Sequence, residues 1–77
     1  MKAFTMSEME NIFEIGRAMQ CAADEGEIEI EDSKEAFMFA IEAAIEFEKK
    51  YPNTENYYCD IDDFINEKIK AKFGFEN

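Results

Sequence analysis

Apolar residues recur at helical spacing in three stretches of this chain, and residues that break helices lie between them. Gly26 follows the first stretch and Pro52 follows the second. Glycine readily takes the left-handed conformation that ends many helices, and proline disfavours helical geometry in the residue before it. The sequence therefore predicts an all-α fold, a compact three-helix bundle.

The chain of 77 residues predicts a single small acidic helical domain spanning residues 1–77. Its apolar content is 47%, with eight Phe and three Tyr, which is enough to close one core without a metal or a disulfide. Cys21 and Cys59 are predicted to be free thiols with small, buried or half-buried side chains, because one bridge is not the dense framework of a small secreted domain.

The first helix is predicted over residues 7–25. Thr5 with Glu8, and Ser7 with Glu10, both fit the capping-box pattern. The spacing predicts an inner face made of Met9, Ile12, Phe13, Gly16, Met19 and Ala23. Ile15 and Ala22 widen this face.

Residues 27–31 alternate glutamate with isoleucine, which is the period of a strand. Without a second strand to pair with, this segment is predicted to be an extended acidic connector between helices 1 and 2. Its isoleucines would enter the core and its glutamates would face water. An edge strand that pairs with another chain is the alternative.

The second helix is predicted over residues 33–50, capped by Ser33 or by Asp32. Helical phase places Phe39 about 160–200° from the inner residues, so we expect it to be an exposed interface anchor. Burial of this helix on both sides is the alternative. The predicted inner face is Phe37, Ala40, Ile41, Ala44 and Ile45. Truncation of Phe37, but not of Phe39, would then be costly.

The third helix is predicted over residues 60–73, with Asp60 as its cap and Gly74 at its end. Its narrower apolar stripe is Ile61, Phe64, Ile65 and Ile69. Residues 55–59 would form an extra turn or a loop that packs Tyr57 and Tyr58 over the core.

Residues that perform catalysis are scarce in this sequence. There is no histidine, and the three glycines are scattered, which excludes histidine-based nucleophilic catalysis and a phosphate-binding glycine loop. Residues 60–63 begin like a calcium loop, but Phe64 occupies the third ligand position and Ile65 the position of the required glycine. We expect no cofactor, no metal site and no enzymatic activity.

Charge is the most unusual part of the composition: 19 acidic residues against 8 basic ones give a net charge of −11. Phosphate backbones and anionic lipids would repel such a chain, whereas a basic protein would be attracted to it. The beginning of the sequence lacks the apolar stretch of a signal peptide, and no run is long enough to span a bilayer. A soluble, cytoplasmic protein is the expectation.

Carboxylates recur at helical spacings that place them about 5–6 Å apart on one face. The candidate partner-binding residues are Phe39 and the acidic residues Glu27, Glu29, Glu31, Asp32, Glu35, Glu42, Glu46, Asp60, Asp63 and Glu67. In size, helicity and charge the chain resembles phage nucleic-acid mimics that block CRISPR or restriction enzymes, and immunity proteins of nuclease toxins. This likeness rests on no motif and transfers no residue.

Two functions remain open. The first is an acidic inhibitor that occludes the nucleic-acid site of a basic partner such as a nuclease by charge mimicry. The alternative is a non-catalytic helical interaction module, with its charge serving only solubility. Such a module would bind through apolar surface such as Phe39, Met38 or the pair Tyr57 and Tyr58, and it would be free to associate with itself.

Overall fold

A computed structural model describes residues 3–74 of the chain. It contains three helices, α1 (Met6–Asp24), α2 (Ser33–Lys50) and α3 (Tyr57–Phe73). The prediction of an all-α three-helix bundle is confirmed, and the described residues include no strand. No helix in this part of the chain is long and apolar enough to cross a membrane.

Local signals fix both ends of α1. The Thr5 hydroxyl accepts from the Glu8 amide at 3.1 Å, and the Glu8 carboxylate accepts from the Thr5 amide at 2.9 Å, completing the predicted capping box. At the other end, Gly26 has a φ of 77°, and its amide donates to the Ala23 carbonyl at 3.1 Å. The Glu27 amide donates to the Ala22 carbonyl at 2.9 Å. These two bonds form a Schellman motif, which a glycine in the left-handed region favours.

The helices alternate in direction. Asn11 near the start of α1 contacts Ala44 and Glu48 near the end of α2, so α1 and α2 are antiparallel. Phe39 of α2 contacts Phe73 at the end of α3, which makes α2 and α3 antiparallel as well. The Cα positions extend 32 × 30 × 17 Å, so the bundle is flat.

The core lies where the three helices meet, and Phe47 occupies its centre. The ring of Phe47 is 2% exposed and lies 5.3 Å from the ring of Phe64, 5.0 Å from Tyr51 and 5.9 Å from Tyr57. The other buried apolar side chains are Ile15, Met19, Ala22, Ile28, Ala40, Ala43, Ala44, Ile61, Ile65 and Ile69.

The segment between α1 and α2 is extended, as predicted. Ile28 is buried and Ile30 packs partly buried against the core, while Glu27, Glu29 and Glu31 are exposed. The two isoleucines therefore close the end of the bundle. The alternative, an edge strand that pairs with another chain, stays a prediction, because the structure contains one chain.

The predicted inner face of α1 is wrong at two positions. Met9 is 52% exposed and Phe13 is 65% exposed, whereas Met19, Ile15 and Ala22 are buried as predicted. The polar residue Asn11, which was not among the predicted inner residues, is buried with them. The apolar positions of α1 cover more than one face of the helix, so the sequence pattern drew the inner face too wide.

The predicted phase of α2 is also wrong for its two phenylalanines. Phe37 is 59% exposed, and Phe39 is half-buried with its ring edge-on to Phe73 at 5.9 Å. Phe39 is therefore not an exposed anchor, and Phe37 is not a core residue. Truncation of Phe37 should therefore not lower the free energy of unfolding as truncation of a core residue would. The physical reason is that α3 packs on the side of α2 that carries Phe39, leaving Phe37 beside the surface of α1.

The third helix begins three residues earlier than predicted, at Tyr57 instead of Asp60. Asn56 stands at the N-cap without a side-chain bond, and Asp60 lies in the first turn, where it accepts from the Thr54 hydroxyl. Tyr57 packs against the core, whereas Tyr58 is 67% exposed. The predicted apolar stripe of α3 is confirmed.

Candidate interaction surfaces

An open groove of about 960 Å³ runs between α1 and α2 on the face that α3 leaves free. We call this surface the apolar groove, because only a few of its lining residues carry polar side chains. It is lined by Phe4, Met9, Ile12, Phe13, Gly16, Arg17, Met19, Gln20, Ala23, Ile30, Ser33, Ala36, Phe37, Ala40 and Ile41.

Large apolar side chains in the apolar groove are open to solvent. Phe13 is 65% exposed, Phe37 59%, Met9 52% and Phe4 44%. Single exposed apolar residues are ordinary, but a contiguous group of this kind marks an interaction surface on a folded protein. The groove is therefore the strongest candidate for a binding site in the described part of the chain.

Small residues keep the middle of the apolar groove open. Gly16 lines it from α1, and a Cβ atom there would meet nothing within 4 Å. Ala36 and Ala40 line it from α2. The aromatic side chains Phe13 and Phe37 therefore stand beside open space that a side chain of a partner could fill.

Methionines supply adaptable surface on the same two helices. Met9 lines the apolar groove and is 52% exposed, and Met6 and Met38 are 84% and 49% exposed elsewhere on α1 and α2. Unbranched thioether side chains adjust to irregular partners more readily than branched ones do.

Carboxylates follow one another in the segment that joins α1 and α2. We call residues 25–32 the acidic connector; its exposed carboxylates are Glu25, Glu27, Glu29, Glu31 and Asp32. Ile30 of this segment lines the apolar groove, and Glu29 and Glu31 flank Ile30 in sequence. The carboxylates themselves do not line the groove: Glu25 and Glu27 lie near Lys70 of α3, and Glu29, Glu31 and Asp32 lie near Lys72. The negative charge of the connector is therefore next to one end of the groove and outside its lining.

Some predicted partner-binding carboxylates are already paired with lysines of α3. Glu35 accepts from Lys72 at 3.0 Å, and Glu46 accepts from Lys68 at 2.6 Å. Exposed ion pairs of this type add little stability, at most about 1 kcal/mol each. They do offset the charge that Glu35 and Glu46 would present to a basic partner.

The remaining predicted carboxylates do not form one continuous surface. Glu42, Asp63 and Glu67 are exposed, and Asp60 is half-buried. Asp60 lies 12 residues before Lys72, which is about 18 Å along the axis of α3. Since Lys72 contacts Glu35 beside the acidic connector, the structure brings Glu29, Glu31, Asp32 and Glu35 together but not Asp60 with them.

Sequence reasoning missed the apolar groove, although a signal for it was present. The predicted inner face of α1 combined residues that the structure divides between core and groove, such as Ile15 and Phe13. A helix with more large apolar positions than one buried face can hold has a second apolar face to cover. That surplus, in α1 and again in Phe37 of α2, indicated an uncovered surface.

A buried polar network joins all three helices away from the apolar groove. Asn11 is 1% exposed, and its amide nitrogen donates to the Ala44 carbonyl at 3.4 Å and to the Glu48 carboxylate at 3.3 Å. The Tyr57 hydroxyl donates to the Asn11 side-chain oxygen at 2.8 Å. Each buried polar atom of Asn11 thus has a partner, which is the condition under which a buried amide is tolerated.

The free energy of unfolding should fall at alkaline pH because of Tyr57. Burial raises the pKa of the Tyr57 phenol from its ordinary value of 10.0 to about 12, and the carboxylates of Glu10 and Glu14 add to the shift. The folded state therefore holds the phenol proton more tightly than the unfolded state does. This contribution is complete below pH 10 and is lost as pH rises from 10 towards 12.

The free energy of unfolding, measured with urea between pH 9 and pH 11.5, should fall with rising pH in the native protein. In the Tyr57→Phe variant it should fall less steeply over the same range, by a difference in slope that corresponds to about one bound proton. All other side chains are the same in the two proteins, so their contributions cancel in the comparison. Parallel profiles would show that Tyr57 titrates as it does in the unfolded chain.

Both cysteines are free, as predicted, but both side chains are exposed and not buried. Among residues 3–74, no group of three or more His, Cys, Asp or Glu side chains is arranged to hold a metal ion. No protein-family model, curated protein or solved structure matches this chain.

Proposed function

We propose that this protein is a non-catalytic helical interaction module that binds a protein partner through the apolar groove. The observation that carries the proposal is the exposure of Phe13 and Phe37 on one concave surface between α1 and α2. Solvent-exposed aromatic rings beside open space are the usual anchors of protein interfaces. A cytoplasmic location is part of the proposal. Basic proteins are the partners that its charge would attract.

Binding of a partner would remove apolar surface of the groove from water. Complete burial of a fully exposed large apolar side chain contributes about 1.5–3 kcal/mol, and each of the large exposed groove residues, being 44–65% exposed, would contribute part of this amount. Their partial exposure leaves that free energy unrealised in the isolated chain. A bound partner would recover it.

Charge mimicry is the second candidate function, and the acidic connector is the feature that favours it. Glu27, Glu29 and Glu31 are exposed and make no ion pair within the described residues. In this proposal the connector occupies the nucleic-acid site of a basic partner, for example a nuclease. Nucleic acid would then compete with the protein for that partner.

Quantitative affinity capture with matched variants tests the proposed function. Phe13→Ser with Phe37→Ser should lower recovery of a specific partner at least about tenfold, because two interface anchors are lost. Tyr58→Ser with Met38→Ser is the matched control, since both residues are exposed but neither lines the apolar groove. Circular dichroism must show that both double variants remain folded.

Equal recovery by the two double variants would contradict binding through the groove. The second candidate has its own test, in which Glu27, Glu29 and Glu31 are changed to Gln. If that variant alone loses the partner, and if DNA or RNA displaces the native protein from it, then charge mimicry is the better account.

A further inference from the structure

We infer that the occupant of the apolar groove is an amphipathic α-helix of a partner protein, with its basic end over the acidic connector. The inference rests on the proposed function and specifies the partner's chemistry. Three properties of the groove lead to it: its mainly helical walls, its length and the position of the acidic connector beside it.

The first property disfavours an extended peptide. All lining residues of the groove except Phe4 and Ile30 belong to two α-helices, whose backbone groups bond within each helix, so most of the groove offers no sheet edge. Its polar lining side chains are Arg17, Gln20 and Ser33. An extended segment would bury unpaired amides against apolar surface, which costs free energy for each group. A helix satisfies its own backbone and presents only side chains.

The second property sets the size of the helix. The lining residues of α1 run from Met9 to Ala23, a distance of about 21 Å at 1.5 Å per residue. A partner helix of about 14 residues, or four turns, spans this length. Apolar anchors at positions i, i+3 or i+4, and i+7 would face the side chains of Met9, Phe13 and Phe37.

The third property fixes polarity and charge. Ile30 lines one end of the apolar groove, and the exposed carboxylates of Glu29 and Glu31 flank it in sequence. The net charge of −11 opposes association with a second copy of this chain and favours a basic partner. Lys or Arg residues at the connector end of the helix would therefore speed association and fix its direction in the groove.

A labelled synthetic peptide tests directly whether a basic amphipathic helix binds the apolar groove. The probe is a helix of about 14 residues with leucines at the anchor positions and arginines in its last turn. One control peptide replaces the arginines with glutamates, and another keeps the composition but scrambles the apolar positions. By fluorescence anisotropy, the basic probe should bind at least about tenfold more tightly than either control.

Variants of the protein separate the two parts of the inference. Phe13→Ser with Phe37→Ser should abolish binding of the basic probe. Glu27→Gln, Glu29→Gln and Glu31→Gln together should weaken it about tenfold and reduce its salt dependence.

The matched control replaces three exposed carboxylates elsewhere on the surface with amides: Glu55, Asp63 and Glu67. It removes the same charge and should change affinity less than about twofold, because screening weakens distant charges. Equal effects of the two triple variants would show that net charge matters and the connector does not.

Other outcomes overturn the inference. Equal affinity for the basic and acidic probes, or no binding of either, rejects a basic helix as the occupant. Light scattering that shows a dimer, lost on Phe13→Ser with Phe37→Ser, would identify a second copy as the occupant. In that case the groove would still be a protein-binding surface. Only partner capture that is indifferent to the groove variants rejects the proposed function itself.

Discussion

Replacing Phe47 with alanine should lower the free energy of unfolding by about 3–5 kcal/mol. Phe47 is 2% exposed and contacts the rings of Phe64, Tyr51 and Tyr57, so its removal leaves a cavity that rigid aromatic neighbours cannot fill. A chain of this size is stabilised by about 4–12 kcal/mol in total. The variant should therefore lose at least about a quarter of the total stability, which urea denaturation resolves easily.

Phe37→Ala is the control for that experiment, because the same change is made at a ring that is 59% exposed. It should cost less than about 0.5 kcal/mol, as surface substitutions usually do. Urea denaturation followed by circular dichroism measures both values. Comparable losses at the two positions would mean that Phe37 is covered in the folded protein, which would also remove it from the apolar groove.

Asn11→Ala should have the second largest effect on stability, about 2 kcal/mol. The substitution leaves the hydroxyl of Tyr57 without its acceptor in a partly buried setting and removes the bonds to Ala44 and Glu48. An unpaired polar group away from water costs more than the bond itself contributed.

A double-mutant cycle with Tyr57→Phe isolates the bond between the two side chains. The coupling free energy should be about 1 kcal/mol, and the double variant should be less destabilised than the sum of the single variants. Strict additivity would show that the bond from Tyr57 to Asn11 contributes nothing to stability.

The helices were predictable because their signals are local. The capping box of Thr5 and Glu8, the left-handed turn at Gly26 and the break at Pro52 all act within a few residues, and they give the boundaries of α1 and α2 to within one residue. The start of α3 was missed because Asn56 caps it without a side-chain bond, so no strong cap signal marks it.

Helix orientation was harder to predict because it depends on which neighbours each helix has. Phe37 and Phe39 differ little in hydrophobicity, and the choice between them is made by α3, whose Phe73 contacts Phe39. Asn11 was not among the predicted inner residues, and it is Tyr57, far away in sequence, that supplies the partner that permits its burial. The apolar groove follows from the same long-range choices.

The position of the tyrosines decides which optical signal can report on which event. The chain has three Tyr and no Trp, and Tyr51, Tyr57 and Tyr58 lie where α2 ends and α3 begins. That is the end of the bundle opposite the acidic connector, and none of the three lines the apolar groove. Intrinsic fluorescence will therefore follow unfolding of the core around Phe47 but stay nearly silent when a ligand enters the groove. A tryptophan introduced at Phe13 or Phe37 would make occupancy of the groove visible.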